Sequence, residues 1–196
     1  MAAIGIMGGT FDPIHIGHLI AAETALDRSG LEEVWFIPTY MPPLKDGKPG
    51  ADGELRLQMV EEAIRPHAAF RAVDIELTRG GTSYSVDTAT ALTSLYPQHT
   101  FAYIIGSDRV NDLPSWHRIE ELASLVTFIG LEREGTEARL GGLPGYLQEQ
   151  LTLVAMPPIG VSSTDIRERV RTGRSIRYLV PDAVNELIRR RGLYES

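Results

Sequence analysis

In the stretch MGGTFDPIHIGHL, Met7 to Leu19, two of the chain's five histidines stand three residues apart, just after a glycine pair that closes an apolar run. Residues three apart are neighbours on one helical face, so His15 and His18 make a compact pair of imidazoles if a helix begins there. Gly8 and Gly9 carry no side chains, so the backbone can approach a ligand closely and turn its N–H groups on an anion. Thr10 adds a hydroxyl donor, and the positive end of the following helix points the same way. Gly17, between the imidazoles, keeps one side clear for a ligand. The set suits a polyphosphate, because imidazole can carry a proton near neutral pH and grip a phosphate harder as charge builds on it. On spacing alone two alternatives stay open: a metal pair joined by Asp12, and a histidine that merely packs in the fold. The GxGxxG dinucleotide fingerprint is missing, which argues against a nicotinamide-dependent oxidoreductase.

These residues need a strand, a tight turn and a helix to hold them. AIGIM, ended by Gly8-Gly9, reads as a buried strand, and IGHLIAAETALDR as a helix stopped by Ser29-Gly30. EVWFIP is a second strand, and the Pro/Gly-dense stretch from Tyr40 to Gly53 a long loop. ELRLQMVEEAI follows as an amphipathic helix with Leu57, Val60 and Ile64 on one face. FRAVDIEL is a strand candidate, SVDTATALTSLY a helix and TFAYIIG a strand; LVTFIGL and QLTLVAMPPIG each hold another. SSTDIRERVRTG, with hydroxyl N-cap candidates, and PDAVNELIRRRG, with proline in its first turn, read as closing helices. The three arginines before Gly192 read as charge that caps a helix C-terminus. Apolar strands alternating with helices predict an α/β fold, a Rossmann-like, doubly wound, mostly parallel sheet with helices on both faces. No linker or internal repeat divides it, so residues 1–196 are expected to form a single domain with a helical C-terminal part from about 161 to 196.

With 196 residues, 43% of them hydrophobic, the chain can bury one substantial core. Its net charge of −7 works against a surface that coats nucleic acid, yet leaves room for local donors that bind a small anion. Cysteine is absent from the sequence, which removes thiolate nucleophiles, disulfides and Cys-type zinc sites and fits a reducing compartment. No apolar run approaches the roughly 20 residues that span a bilayer, and the N-terminus lacks the features of a signal peptide. The expectation is a cytoplasmic protein with neither membrane nor nucleic-acid partner; a homo-oligomer is compatible with the sequence.

GGTFDPIHIGHL resembles the (H/T)xGH signature of the nucleotidylyltransferase superfamily. PPLKDG, RGGTSYSVDT, IIGSD, LPSWH, VSSTDIRERV and YLVP then occur in the order seen in bacterial nicotinate-mononucleotide adenylyltransferases. The likeness runs from about Ile4 to Tyr194. The histidine motif marks the superfamily, while SYSVDT and SWH mark the substrate branch. The resemblance implies transfer of AMP from ATP to nicotinate mononucleotide, giving deamido-NAD and pyrophosphate in NAD biosynthesis, with Mg²⁺ bound mainly through ATP phosphates. It also implies that the mononucleotide's own phosphate attacks the α-phosphorus of ATP directly, so the protein's task is alignment and charge stabilisation.

Carried over residue by residue, the resemblance makes His15, His18 and Arg167 the catalytic set. Gly8, Gly9, Thr10 and Phe11 would line the ATP pocket. Gly106 and Asp108 match the adenosine-contacting segment, and Ser162, Ser163 and Thr164 the second phosphate motif. Trp116 would stack on the nicotinate ring, Tyr84, Ser85 and His117 would form its polar end, and Lys45 would approach phosphate. No protein metal ligand is implied. Plainer readings stand beside these: Asp108 as a strand-end turn residue, the hydroxyls as ordinary helix caps, Trp116 as core and Lys45 as a solvated charge. Leu44 stands where relatives commonly carry histidine in PPHK, so any hydrogen bond from that histidine is absent. The same superfamily also holds transferases for nicotinamide mononucleotide, pantetheine phosphate and cytidylyl groups. A non-catalytic nucleotide-binding module is the rival outside enzymes.

Overall fold

The computed structural model describes residues 1–43, 49–132, 138 and 140–195. Its first half runs β1 (Ala3–Gly9), α1 (Ile16–Arg28), β2 (Glu33–Pro38), α2 (Gly53–Ile64), β3 (Phe70–Ala72), α3 (Ile75–Arg79) and α4 (Ser85–Leu95). Then come β4 (Thr100–Gly106), α5 (Ser107–Val110), α6 (Ile119–Leu125), β5 (Thr127–Glu132), α7 (Gly145–Gln150), β6 (Leu151–Ala155), α8 (Ser163–Arg171) and α9 (Asp182–Arg191). The strands form one sheet in the order β3-β2-β1-β4-β5-β6, and every neighbouring pair is parallel. Strand order reverses between β1 and β4, the crevice where open parallel sheets bind ligands beyond their carboxyl ends.

The apolar strands are buried on both faces, as parallel sheets require. On one face, Ala21, Ala22 and Ala25 of α1 share a core with Met59 and Val60 of α2, Ile166 of α8, and Val184, Leu187 and Ile188 of α9. On the other, Ile4, Ile6 and Tyr103 meet Val86, Ala89 and Leu92 of α4, Leu122 of α6 and Leu147 of α7. The closing helices α8 and α9 therefore cover the same face as α1.

The expected strand FRAVDIEL ends at Ala72, and Ile75–Arg79 is helical. Thr78 donates from its hydroxyl to Asp74 Oδ2 at 3.0 Å and from its backbone to the Asp74 carbonyl at 2.8 Å, which turns the chain into α3. In α2 the buried face is Arg56, Met59, Val60, Ala63 and Ile64, while Leu57 is only half-buried. The helix starts at Gly53 because Asp52 accepts the Leu55 N–H at 2.8 Å as its N-cap. Pro181 occupies the N-cap of α9 rather than its first turn.

Helix α8 is anchored by one fully buried side chain, Ile166. Replacing Ile166 by alanine is expected to cost about 2–5 kcal/mol through the cavity it leaves. Urea unfolding followed by circular dichroism checks this, as a lower midpoint at an unchanged m-value.

Candidate active site

Beyond Gly9 the chain leaves the sheet, and Phe11 turns it with a left-handed backbone, φ 49°. That conformation costs about 1–2 kcal/mol in a residue with a Cβ. Burial of the ring holds it: Phe11 meets His18 edge-on at 5.1 Å and Phe36 at 5.9 Å between ring centres. His15 is the N-cap of α1, and its ring stacks on that of His18 at 3.7 Å and 23°. The His15 backbone N–H donates to His18 Nδ1 at 3.2 Å. Neutral His18 must therefore carry its proton on Nε2, which makes that nitrogen a donor.

The glycines serve three different purposes. A Cβ on Gly8 would meet nothing within 4 Å, so this position opens outwards. A Cβ on Gly9 would lie 3.1 Å from the Phe11 ring, and one on Gly17 would lie 3.0 Å from the His15 ring. Gly17 thus makes room for the His15 ring. The Phe11 ring is buried and props His18.

Asp12 gathers the surroundings of this loop. Its buried carboxylate accepts the N–H of Gly50 at 2.7 Å, the N–H of Ala51 at 3.0 Å and the hydroxyl of Tyr194 at 2.7 Å. With three donors already on it, this carboxylate is structural, and the metal-pair reading of His15, His18 and Asp12 loses its third ligand. Among the described residues no group of three His, Asp or Glu side chains converges to hold a metal. Arg167 donates through Nη1 to the Asp12 carbonyl at 2.8 Å and lies 3.8 Å from Asp12 Oδ2. Arg56, fully buried, holds the Thr10 carbonyl at 2.7 Å and the Ala51 carbonyl at 3.3 Å. Burial lowers the Arg56 pKa, and the charge of Asp12 leads the opposing influences. Burial, followed by the nearby Asp12 charge, pushes the Tyr194 hydroxyl well above the usual phenol range.

The three hydroxyls that open α8 divide their work. Ser162 is the N-cap and accepts the Asp165 N–H at 3.1 Å, Ser163 donates to the Pro13 carbonyl at 2.9 Å, and Thr164 lies 3.5 Å from Arg167 Nη2. The capping reading thus holds for Ser162, and Ser163 ties α8 to the histidine loop.

On the other face of the sheet, Gly8, Tyr84, Ser85, Trp116 and His117 line one cleft of about 550 Å³. The Tyr84 and His117 rings lie 4.2 Å apart, and Trp116 meets Tyr103 edge-on at 6.4 Å. Trp116 is half-buried against the core and also lines the cleft. Gly106 ends β4, and Asp108 is exposed in the first turn of α5. Lys45 and Leu44 lie outside the described residues.

Sequence reasoning missed Arg56, Tyr194 and Glu76, and it weighed Asp12 only as a metal ligand. An arginine on the apolar face of α2, three residues before Met59, was the available hint for Arg56. Glu76 lines the cleft and is buried. Its Oε1 accepts the Thr88 hydroxyl at 2.7 Å, and Oε2 has no well-formed hydrogen bond among the described residues. Burial raises the Glu76 pKa, opposed by the Thr88 hydrogen bond, the Ser83 hydroxyl and the charge of Arg79.

A sheet with this strand order, paired histidines at its switch point and an aromatic cleft beside them defines a nucleotidyl-transfer architecture. Residues 6–169 match the cytidylyltransferase-like family, and the chain belongs to it. Within that family it falls among the nicotinate-nucleotide adenylyltransferases. It is 46% identical to a protein of Oceanobacillus iheyensis named "probable nicotinate-nucleotide adenylyltransferase", over 99% of this chain and 97% of that protein. A protein of the same name from Halalkalibacterium halodurans is 45% identical over 100% of this chain and 93% of its own. Among solved structures, the Plasmodium falciparum nicotinic acid mononucleotide adenylyltransferase complexed with NaAD superposes with a TM-score of 0.79, 20% identity, and coverage of 100% of this chain and 98% of that one. At that identity the superposition speaks to the fold.

Three outcomes follow from the buried carboxyls and their partners. Asp12→Ala strands three donors and removes the counter-charge of two arginines, an expected loss of about 3–5 kcal/mol. Tyr194→Phe removes one donor and is expected to cost about 1–2 kcal/mol, both measured by urea unfolding. For Glu76 the folded pKa lies above the unfolded one, so the unfolded chain releases its proton first and stability falls as pH rises across that window. Glu76→Gln lacks this loss. Its stability relative to the parent should rise with pH through the window and be flat below it, in denaturation series at fixed pH values.

Proposed function

We propose that the chain transfers AMP from ATP to nicotinate mononucleotide, giving deamido-NAD and pyrophosphate, by direct attack of the mononucleotide phosphate on the α-phosphorus. A bond forms between the acceptor phosphate oxygen and that phosphorus while its bond to the bridging oxygen of pyrophosphate breaks. The nucleophile is already ionised, so no protein group needs to take its proton, and the chemistry reduces to alignment and charge stabilisation. The observation that carries the reading is the stacked His15–His18 pair at the switch point. Its His18 Nε2–H is fixed as a donor on one side of the strand ends while Gly8 opens on the aromatic cleft at the other. Family membership supports the same substrates.

In this reading His15 and His18 hold the triphosphate and meet the charge that builds on it as the bond breaks. Arg167, Ser163 and Thr164 at the start of α8 receive the departing pyrophosphate, and Gly8, Gly9 and Thr10 supply close backbone. Gly106 and Asp108 at the end of β4 take the adenosine ribose, with Asp108 accepting from its hydroxyls. Trp116 stacks on the pyridine ring, and Tyr84, Ser85 and His117 close around its substituent. Mg²⁺ suits this site as a passenger on the ATP phosphates and water, where it supplies charge neutralisation. Asp12, filled by its three donors, is not its ligand. No helix among the described residues is long and apolar enough to cross a membrane, and cytoplasmic action on small molecules fits.

The test is turnover with ATP and each acceptor supplied separately. Nicotinate mononucleotide is expected to be preferred over nicotinamide mononucleotide and over pantetheine phosphate. A wide preference for either of the latter would sink the assignment. His18→Ala is expected to leave ATP affinity within a few-fold while lowering kcat by about 100-fold or more, the loss of one transition-state donor. Steady-state kinetics beside nucleotide titration separates the two effects, and an unchanged kcat would remove His18 from the mechanism.

A further inference from the structure

The buried face of α2 carries one charged side chain. Arg56 lies in line with Met59, Val60, Ala63 and Ile64 and is 2% exposed, at a position whose neighbours call for an aliphatic residue. It forms no salt bridge among the described residues. The cost of taking a guanidinium out of water is offset instead by two backbone carbonyls, Thr10 at 2.7 Å from Nη1 and Ala51 at 3.3 Å from Nε. A methionine there would fill similar space with no charge to desolvate, so the arginine is explained by what its bonds hold. They join two segments of the histidine loop's surroundings: Thr10 directly follows β1, and Ala51 gives its own N–H to Asp12.

We propose that Arg56 is a positioning residue for nucleotidyl transfer, which sets the His18 imidazole through the Thr10–Phe11 peptide. The inference rests on the reading that the histidine pair serves that transfer. The peptide after Thr10 is trans and planar, so a fixed carbonyl fixes the whole unit and with it the start of Phe11. Phe11 holds a left-handed backbone, φ 49°, which a residue with a side chain keeps only where its surroundings impose it. Its ring meets His18 edge-on at 5.1 Å, and His18 stacks on His15 at 3.7 Å. Each link is a direct contact or a covalent one: guanidinium to carbonyl, peptide to phenyl ring, phenyl ring to imidazole.

The consequence falls on turnover. A bound triphosphate is held by several groups at once and tolerates one displaced ring, whereas a donor to the transition state must meet the oxygen on which charge builds. Loss of Arg56 frees the Thr10 carbonyl and lets the turn at Phe11 relax, which shifts the imidazoles without removing them. Asp12 cannot replace the clamp, because its carboxylate only accepts and has no hydrogen to give a carbonyl. Lysine replaces it in part. Its ammonium is a point donor, whereas the guanidinium fork reaches both carbonyls at once.

The experiment compares the parent chain with Arg56→Met and Arg56→Lys, each checked for folding by circular dichroism. Steady-state kinetics with ATP and nicotinate mononucleotide are read beside the histidine Hε1 resonances of each protein without substrate. The chain has five histidines, so His67, His99 and His117 serve as internal references for His15 and His18. Arg56→Met is expected to lower kcat about 30-fold or more with both KM values within about three-fold, and to move the His15 and His18 resonances alone. Arg56→Lys is expected to fall between, with kcat about five-fold below the parent. A merely structural arginine would lower the urea midpoint while the folded variants keep the parent kcat and the parent histidine resonances, and that result overturns the proposal. So does a loss carried by KM at unchanged kcat, or a lower kcat with both imidazole signals unmoved. Should Arg56→Met fail to fold, Arg56→Lys decides on the same two readouts. A parent chain that does not join ATP to nicotinate mononucleotide counts against the proposed function, and the substrate-free resonances then judge Arg56 by themselves.

Discussion

A carboxylate shut away from water must have its lone pairs answered, and at Asp12 that requirement draws four parts of the chain together. The backbone of Gly50 and Ala51, the hydroxyl of Tyr194, and Arg167 from α8 converge on a residue three positions before His15. The buried Arg56 adds its grip on the Thr10 carbonyl. Gly50 fits beneath Tyr194 only because it lacks a side chain, since a Cβ there would lie 3.0 Å from the ring. The histidine loop is therefore held by charge-assisted bonds and backbone donors, and its two imidazoles are positioned by the protein's own contacts. Preorganisation of this kind is what a transfer reaction without a covalent intermediate asks of its protein.

The parallel sheet divides the labour. Helices α1 and α8 deliver His15, His18 and Arg167 over one face, while α4 and the Trp116 segment build the aromatic cleft over the other. The ends of the neighbouring strands β1 and β4 lie between them, at the point where the strand order reverses. The stacked imidazoles and the left-handed Phe11 are both consequences of packing: one ring braces the next from Phe36 through Phe11 to His18 and His15.

Much of this was legible in the residues themselves. Apolar runs ended by glycine or proline located the strands, and the three-residue histidine spacing placed both rings on one turn of α1. What escaped was decided by contacts distant in sequence. Glu76 sits inside a run that reads equally as strand, and its burial is settled by Thr88 on a separate helix. Asp12 looks like a metal ligand until Gly50, Ala51 and Tyr194 are seen to saturate it. Gly8, Gly9 and Gly17 look alike as letters, yet one opens towards solvent and the others yield space to an aromatic ring. Arg56 was hidden by the rule that arginine faces water, which fails where backbone carbonyls receive it.

The bond from Tyr194 to Asp12 spans 182 positions of sequence. Closing so long a loop is entropically slow, and contacts of this separation form late. During synthesis on the ribosome, the histidine loop emerges early and must wait for the last of the three donors to its acid until the far segment follows. The pocket is thus among the final parts of the molecule to set, and a nascent chain cannot engage nucleotide in the native manner until its sheet and closing helices are already in place.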